Sequence, residues 1–66
     1  MRACTPAQRS RLDDLGLYYK LVSRNDGTVC QLFEKDNNKL VLEAGPRDAL
    51  ASIDLALDEA EALPAS

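Results

Sequence analysis

Histidine and tryptophan are absent from this 66-residue sequence, and cysteine occurs twice, at Cys4 and Cys30. Two thiols without a histidine cannot complete a tetrahedral zinc site within one chain. The commonest general base at neutral pH is missing as well. No GxSxG motif, phosphate-cradling glycine loop or acidic cluster at metal spacing replaces it. Asp13-Asp14 and Asp58-Glu59 are adjacent pairs in helical stretches, so the members of each pair point about 100° apart and read as solvated charge. A cysteine nucleophile needs an activating base or a positive field, and Cys30 sits in an apolar alternation that reads as core. The expectation is a chain with no catalytic residues, no metal and no cofactor.

Aromatic residues are scarce: Tyr18, Tyr19 and Phe33 are all there are. A chain this short buries only about 60% of its unfolded surface, so the core of a single small domain spanning 1–66 is thin and a partner or a homodimer would relieve it. No apolar run approaches the roughly 18 residues needed to span a bilayer. The start, Met1-Arg2-Ala3-Cys4, leads directly into polar sequence without a secretory h-region. These features predict a cytoplasmic protein with no membrane association. A Cys4–Cys30 disulfide is conceivable, but two reduced thiols fit that setting better.

Charge is present in both signs and unevenly placed. The net charge is −3, yet Arg2, Arg9, Arg11, Lys20 and Arg24 make the first third basic. Asp48, Asp54, Asp58, Glu59 and Glu61 against Arg47 make the last third acidic. An acidic total disfavours non-specific nucleic-acid binding, which rests on neutralising phosphates.

Local signals divide the chain into five elements. Residues 1–4 read as a loose end. Thr5-Pro6-Ala7-Gln8 is a capping box with proline at the first helical position, predicting a helix over 5–15 that stops at Gly16. Alternation and β-favouring residues predict strands over 17–24, 28–35 and 39–44. Asn25-Asp26-Gly27 and Asp36-Asn37-Asn38 are the turns between them. Gly45-Pro46 opens a helix predicted over 46–63, bounded by Pro64. Its apolar stripe is Ala49, Ile53, Ala56, Leu57, Ala60 and Leu63, with Leu50 at the edge. The expected fold is α+β, in α-β-β-β-α order: a three-stranded antiparallel meander with the helices mainly on one face.

Parity assigns the sheet faces. Leu17, Tyr19, Leu21, Cys30, Leu32, Leu40 and Leu42 are expected to face the long helix. The other face then collects Tyr18, Val22, Val29, Phe33 and Val41 among Lys20, Arg24, Lys35 and Lys39.

Two surfaces emerge as candidate sites. The first is that second sheet face, with Tyr18, Lys20, Val22, Arg24, Phe33, Lys35 and Val41. It can be an ordinary half-wet sheet whose cationic stems cover apolar neighbours, a dimer or partner surface, or a platform that stacks unpaired bases. The second is the back of the last helix, where Ala51, Leu55 and Ala62 lie between the acids Asp54, Asp58 and Glu61 on one side and Asp48 and Glu59 on the other. An apolar strip between acidic rails suits docking on a basic-rimmed groove. The α-β-β-β-α order is also that of double-stranded-RNA-binding domains, but Gly45-Pro46-Arg47-Asp48-Ala49-Leu50 offers one arginine followed by an aspartate where those domains carry clustered lysines. Binding to duplex RNA is therefore disfavoured. The reading these features favour is a non-catalytic protein-binding module, a small adaptor, inhibitor or regulator of phage or mobile-element type. Single-stranded nucleic-acid binding and a structural role in a larger assembly are the rival readings.

Overall fold

The computed structural model describes residues 4–63. Within them the order is α1 (Pro6–Leu15), β1 (Leu17–Arg24), β2 (Gly27–Glu34), β3 (Leu40–Arg47) and α2 (Ala49–Ala62). The three strands form one antiparallel sheet in the order β1-β2-β3. This is the expected α-β-β-β-α meander of the α+β class. Most of the expected loose end, residues 1–3, and the expected stop at Pro64 lie outside the described residues. Cys4 is half-buried and packs against the core.

The capping box forms as its residues dictate. Thr5 Oγ1 accepts from the Gln8 amide at 3.1 Å, and the Thr5 amide donates back to Gln8 Oε1 at 3.0 Å. Together these bonds satisfy donors that an uncapped helix start leaves unpaired. Gly16 ends α1 in the left-handed conformation (φ 70°, ψ 32°) that a side chain resists.

Asn25-Asp26 closes a two-residue hairpin, so Gly27 pairs with Arg24 and begins β2 one residue earlier than expected. Its register sets Tyr18 against Phe33, Lys20 against Gln31 and Val22 against Val29 on one face. Tyr19 against Leu32 and Leu21 against Cys30 occupy the other. Both faces of this hairpin follow the predicted parity.

The third strand departs from its expected placement in two ways. First, the register shifts between Leu32↔Leu42 and Phe33↔Leu40, leaving Val41 as an extra residue in a β-bulge. Val41 therefore packs against the core, whereas Leu40 emerges beside Phe33 with 51% of its surface exposed. The two residues have exchanged the faces that strict alternation assigned them. Second, β3 does not stop at Ala44 but runs through Gly45-Pro46 to Arg47, which pairs with Thr28. A second irregularity between Thr28 and Cys30 accommodates the extra residue.

Pro46 is thus a strand residue rather than the first residue of a helix. The helix begins at Ala49, where the Asp48 carboxylate accepts from the Ala51 amide at 3.4 Å. Leu63 lies past its end and is exposed, not part of the core stripe. Leu50 is exposed too. Ala49 is half-buried and outside the core cluster, whereas Ile53, Ala56, Leu57 and Ala60 are buried against Leu12, Leu17, Cys30, Leu32 and Ala44 as expected.

Ser52 fastens the start of α2 to the sheet. Its hydroxyl is fully buried, donates to the Thr28 carbonyl and accepts from the Arg47 amide at 3.1 Å. Room for it exists because residue 45 is glycine. A Cβ there would stand 2.8 Å from Ser52 Oγ and 2.8 Å from the Thr28 oxygen.

Candidate interaction surface

Both helices pack on the face of the sheet that carries Leu17, Cys30, Leu32 and Ala44, so among the described residues no helix covers the opposite face. At its end nearest the β2–β3 turn stands a row of three side chains, Tyr18, Phe33 and Leu40, one from each strand and in direct register. The Tyr18 and Phe33 rings stack with centroids 5.3 Å apart and planes 17° from parallel. Lys20 Nζ lies over the Phe33 ring, 5.4 Å from its centroid, a distance at which the ring quadrupole attracts a cation. Tyr18 Oη donates to Asn38 Oδ1 at 3.1 Å, tying the ring to the β2–β3 turn.

The next row toward the other end is polar. Lys20, Gln31 and Glu43 stand side by side across the three strands, with Gln31 Nε2 donating to Glu43 Oε2 at 3.0 Å. Beyond it Val22 faces Val29, and Arg24 closes the strand. Val29 is buried, yet it lies outside the core cluster on the helix side.

Of the residues assigned to this face from sequence, Tyr18, Lys20, Val22, Arg24 and Phe33 come together. Val41 and Lys35 do not. Val41 is turned to the core by its bulge. Lys35 falls beyond the end of β2, and its amine reaches Asp13 of α1 at 3.0 Å. Lys39 precedes β3 in the turn. Leu40, Gln31 and Glu43 are the members that sequence reasoning missed. A bulge leaves no mark in hydrophobic alternation, so Leu40 carried no signal. Gln31 and Glu43 follow from parity once the register is known.

The back of α2 looks different from its expectation. Arg11 of α1 reaches across to the rail of Asp54, Asp58 and Glu61. Its Nε donates to Glu61 Oε2 at 2.9 Å, and its Nη2 donates to Glu61 Oε1 at 2.7 Å and to Asp58 Oδ1 at 2.9 Å. Asp54 Oδ1 lies 3.7 Å from Nη1 and accepts from the buried Gln8 amide at 2.8 Å. Gln8 Nε2 also donates to the Leu50 carbonyl. These three acids therefore serve the α1–α2 contact. The hydrogen bonds from Arg11 hold the Glu61 carboxyl below its ordinary range, and the same bonds raise the Arg11 guanidinium further above its own. Leu55 is half-buried and packs against the core rather than forming an exposed strip. Glu59 and Ala62 remain exposed.

The Cys30 thiol is poorly placed for nucleophilic chemistry. Burial, with a smaller contribution from Cys4 nearby, pushes the Cys30 thiol up to about 11, so the nucleophilic thiolate is scarce at neutral pH. Burial and a hydrogen bond involving Cys4 also raise the Tyr19 phenol. Among the described residues, no group of three His, Cys, Asp or Glu side chains is placed to hold a metal ion. No described helix is long and apolar enough to cross a membrane. A cavity of about 210 Å³ lies between α1 and β1, beside the Lys35–Asp13 ion pair and Arg9.

No family model, curated protein or solved structure matches this chain.

Proposed function

We propose that this protein is a non-catalytic binding module that recognises protein through the open face of its sheet, acting as an adaptor, inhibitor or regulator. The observation that carries the reading is the row Tyr18–Phe33–Leu40, with Leu40 half exposed on a sheet face that no described helix covers. Stacked rings beside an exposed leucine offer apolar area at low cost in side-chain entropy, which is what the centre of a protein interface is made of. The polar row of Lys20, Gln31 and Glu43 supplies direction.

The acidic helix contributes less than its composition suggests. Three of its acids are held by Arg11 and Gln8 and so are less free to engage a partner, though the side chains of Asp54, Asp58 and Glu61 stay 60%, 69% and 43% exposed alongside Glu59 and Ala62. The free thiols of Cys4 and Cys30 fit a reducing compartment such as the cytoplasm.

Single-stranded nucleic acid is the rival occupant, because Tyr18 and Phe33 offer ring faces and Lys20 and Arg24 offer cations. Two features count against it. Lys35 is turned away to Asp13, and Glu43 stands in the middle of the face. The test is a photoreactive phenylalanine analogue placed at Phe33 and, as a control, at Glu59. The reading expects polypeptide adducts from position 33, lost when Leu40→Lys is added. Adducts to nucleic acid, or none from position 33, would sink it.

A further inference from the structure

The partner of the open sheet face is set by the order of charges along one row. Lys20 on β1, Gln31 on β2 and Glu43 on β3 occupy the same level of the sheet, so the row reads positive, neutral, negative from one edge to the other. The row beside it reads Tyr18, Phe33, Leu40 in the same sense. A surface with this arrangement is its own complement under one particular two-fold operation.

Resting on the reading of this face as a protein-binding surface, we infer that its partner is a second copy of the same chain, packed face to face about a two-fold axis parallel to β2. Such an axis exchanges the two sheet edges and preserves the level along the strand. Lys20 of each copy then meets Glu43 of the other. Tyr18 meets Leu40, and Phe33, Gln31 and Val29 each lie near their own counterparts on the axis. The interface is isologous, as closed dimers require.

The alternative two-fold, perpendicular to the strands through the same row, keeps the edges in place and sets Lys20 against Lys20 and Glu43 against Glu43. Like charges brought together at the centre of an interface are strongly disfavoured. Charge complementarity therefore selects the axis along β2. Packed sheets stand about 10 Å apart with strands within about 30° of each other. A lysine and a glutamate side chain span that gap together, and their length absorbs the rotation.

The size of the face sets the strength of the dimer. Three strands about 4.8 Å apart, at about 3.4 Å per residue, present roughly 350 Å² in projection. That is below the ~800 Å² per partner of a standard stable interface, so the dimer is of the weak, concentration-dependent kind. Lys20, which lies over Phe33 within one chain, shields the ring in the monomer and is free to swing to Glu43 of the second copy.

Sedimentation equilibrium across a dilution series tests this, using the wild type, Lys20→Glu, Glu43→Lys and the double variant. Both positions are exposed, so the variants retain the fold, which circular dichroism verifies. The wild type is expected to move from monomer toward twice that mass between about 10 μM and about 1 mM. Each single variant is expected to lose association by about tenfold or more, and the double variant to recover it. The decisive arm is an equimolar mixture of the two single variants. In the mixed dimer the two substituted side chains meet each other with opposite charge, and the unaltered Lys20 and Glu43 meet at the second contact. Alone, each variant sets like charges together at both contacts, so the mixture should associate more tightly than either.

A wild type that stays monomeric throughout, or a mixture that gains nothing, overturns the inference. Should Phe33 then still crosslink to other polypeptides, the protein-binding reading stands and only the identity of the partner falls. Absence of both results removes the reading as well.

Discussion

Arg11 and Glu61 meet as a two-bonded pair, Nε to Oε2 at 2.9 Å and Nη2 to Oε1 at 2.7 Å, across 50 residues of sequence. With Asp58 on the same guanidinium, the pair holds α1 against α2, an arrangement that gives arginine its geometric advantage over lysine. The acids of α2 thus hold α1 in place while their own side chains stay 43% to 69% exposed.

That tether has a pH signature. Glu61 is held below its ordinary pKa in the folded chain, so the unfolded chain binds the extra proton. The stabilisation is present above the ordinary glutamate value, about 4.3, and is lost as pH falls through the lower folded value. Thermal melts of wild type and Arg11→Met from neutral pH to about pH 3 should show the two curves converging at the acid end. A gap of constant size at every pH would mean that the charge of the pair contributes nothing. At neutral pH, Arg11→Met should raise amide exchange within Pro6–Leu15 before it affects the sheet.

Ser52→Ala removes a buried hydroxyl and strands the Thr28 carbonyl and the Arg47 amide. A loss of about 1–3 kcal/mol is expected by urea denaturation. Gly45→Ala should be at least as damaging. Its φ of 114° suits glycine alone, and the added methyl collides with both Ser52 and Thr28. A Gly45→Ala protein of wild-type stability would contradict the placement of Ser52.

Leu40 and Val41 test the bulge directly. Leu40→Lys should change stability by no more than about 0.5 kcal/mol, because the side chain is already half in water. Val41→Lys should cost about 2 kcal/mol or more, because it forces an amine against the core cluster. Strict alternation predicts the opposite order, so a single pair of denaturation curves decides between the two registers.

Thiol labelling in the native state should be biphasic. Cys30 is fully buried and its thiol is pushed up to about 11, so at pH 8 it should react with a disulfide reagent at the rate of unfolding. Cys4, half-buried in front of α1, should react faster. Equal rates at both positions would mean that the sheet opens far more readily than its packing implies.

Much of this protein is determined by local chemistry that sequence displays. The Thr5–Gln8 box, Gly16 and the turns at Asn25-Asp26-Gly27 and Asp36-Asn37-Asn38 each act within a few residues, and each caps or turns the chain within a residue of where its local pattern predicts. The stripe Ile53, Ala56, Leu57 and Ala60 and the two faces of the first hairpin follow from periods of 3.6 and 2. With them came Tyr18, Phe33, Lys20, Val22 and Arg24 on one face.

Tertiary structure decided the rest, because those outcomes depend on contacts between residues far apart in sequence. Whether Gly45-Pro46 opens a helix or extends a strand turned on Thr28 having Arg47 to pair with and Ser52 having space above residue 45. Whether Leu40 or Val41 faced the core turned on one extra residue in β3, which alternation alone does not register. The acids of α2 became a tether because α1 crosses them with Arg11 at hydrogen-bonding distance. Periodicity specifies which face of an element is apolar. Only the packing of one element on another specifies which charges are paired and which leucine remains at the surface.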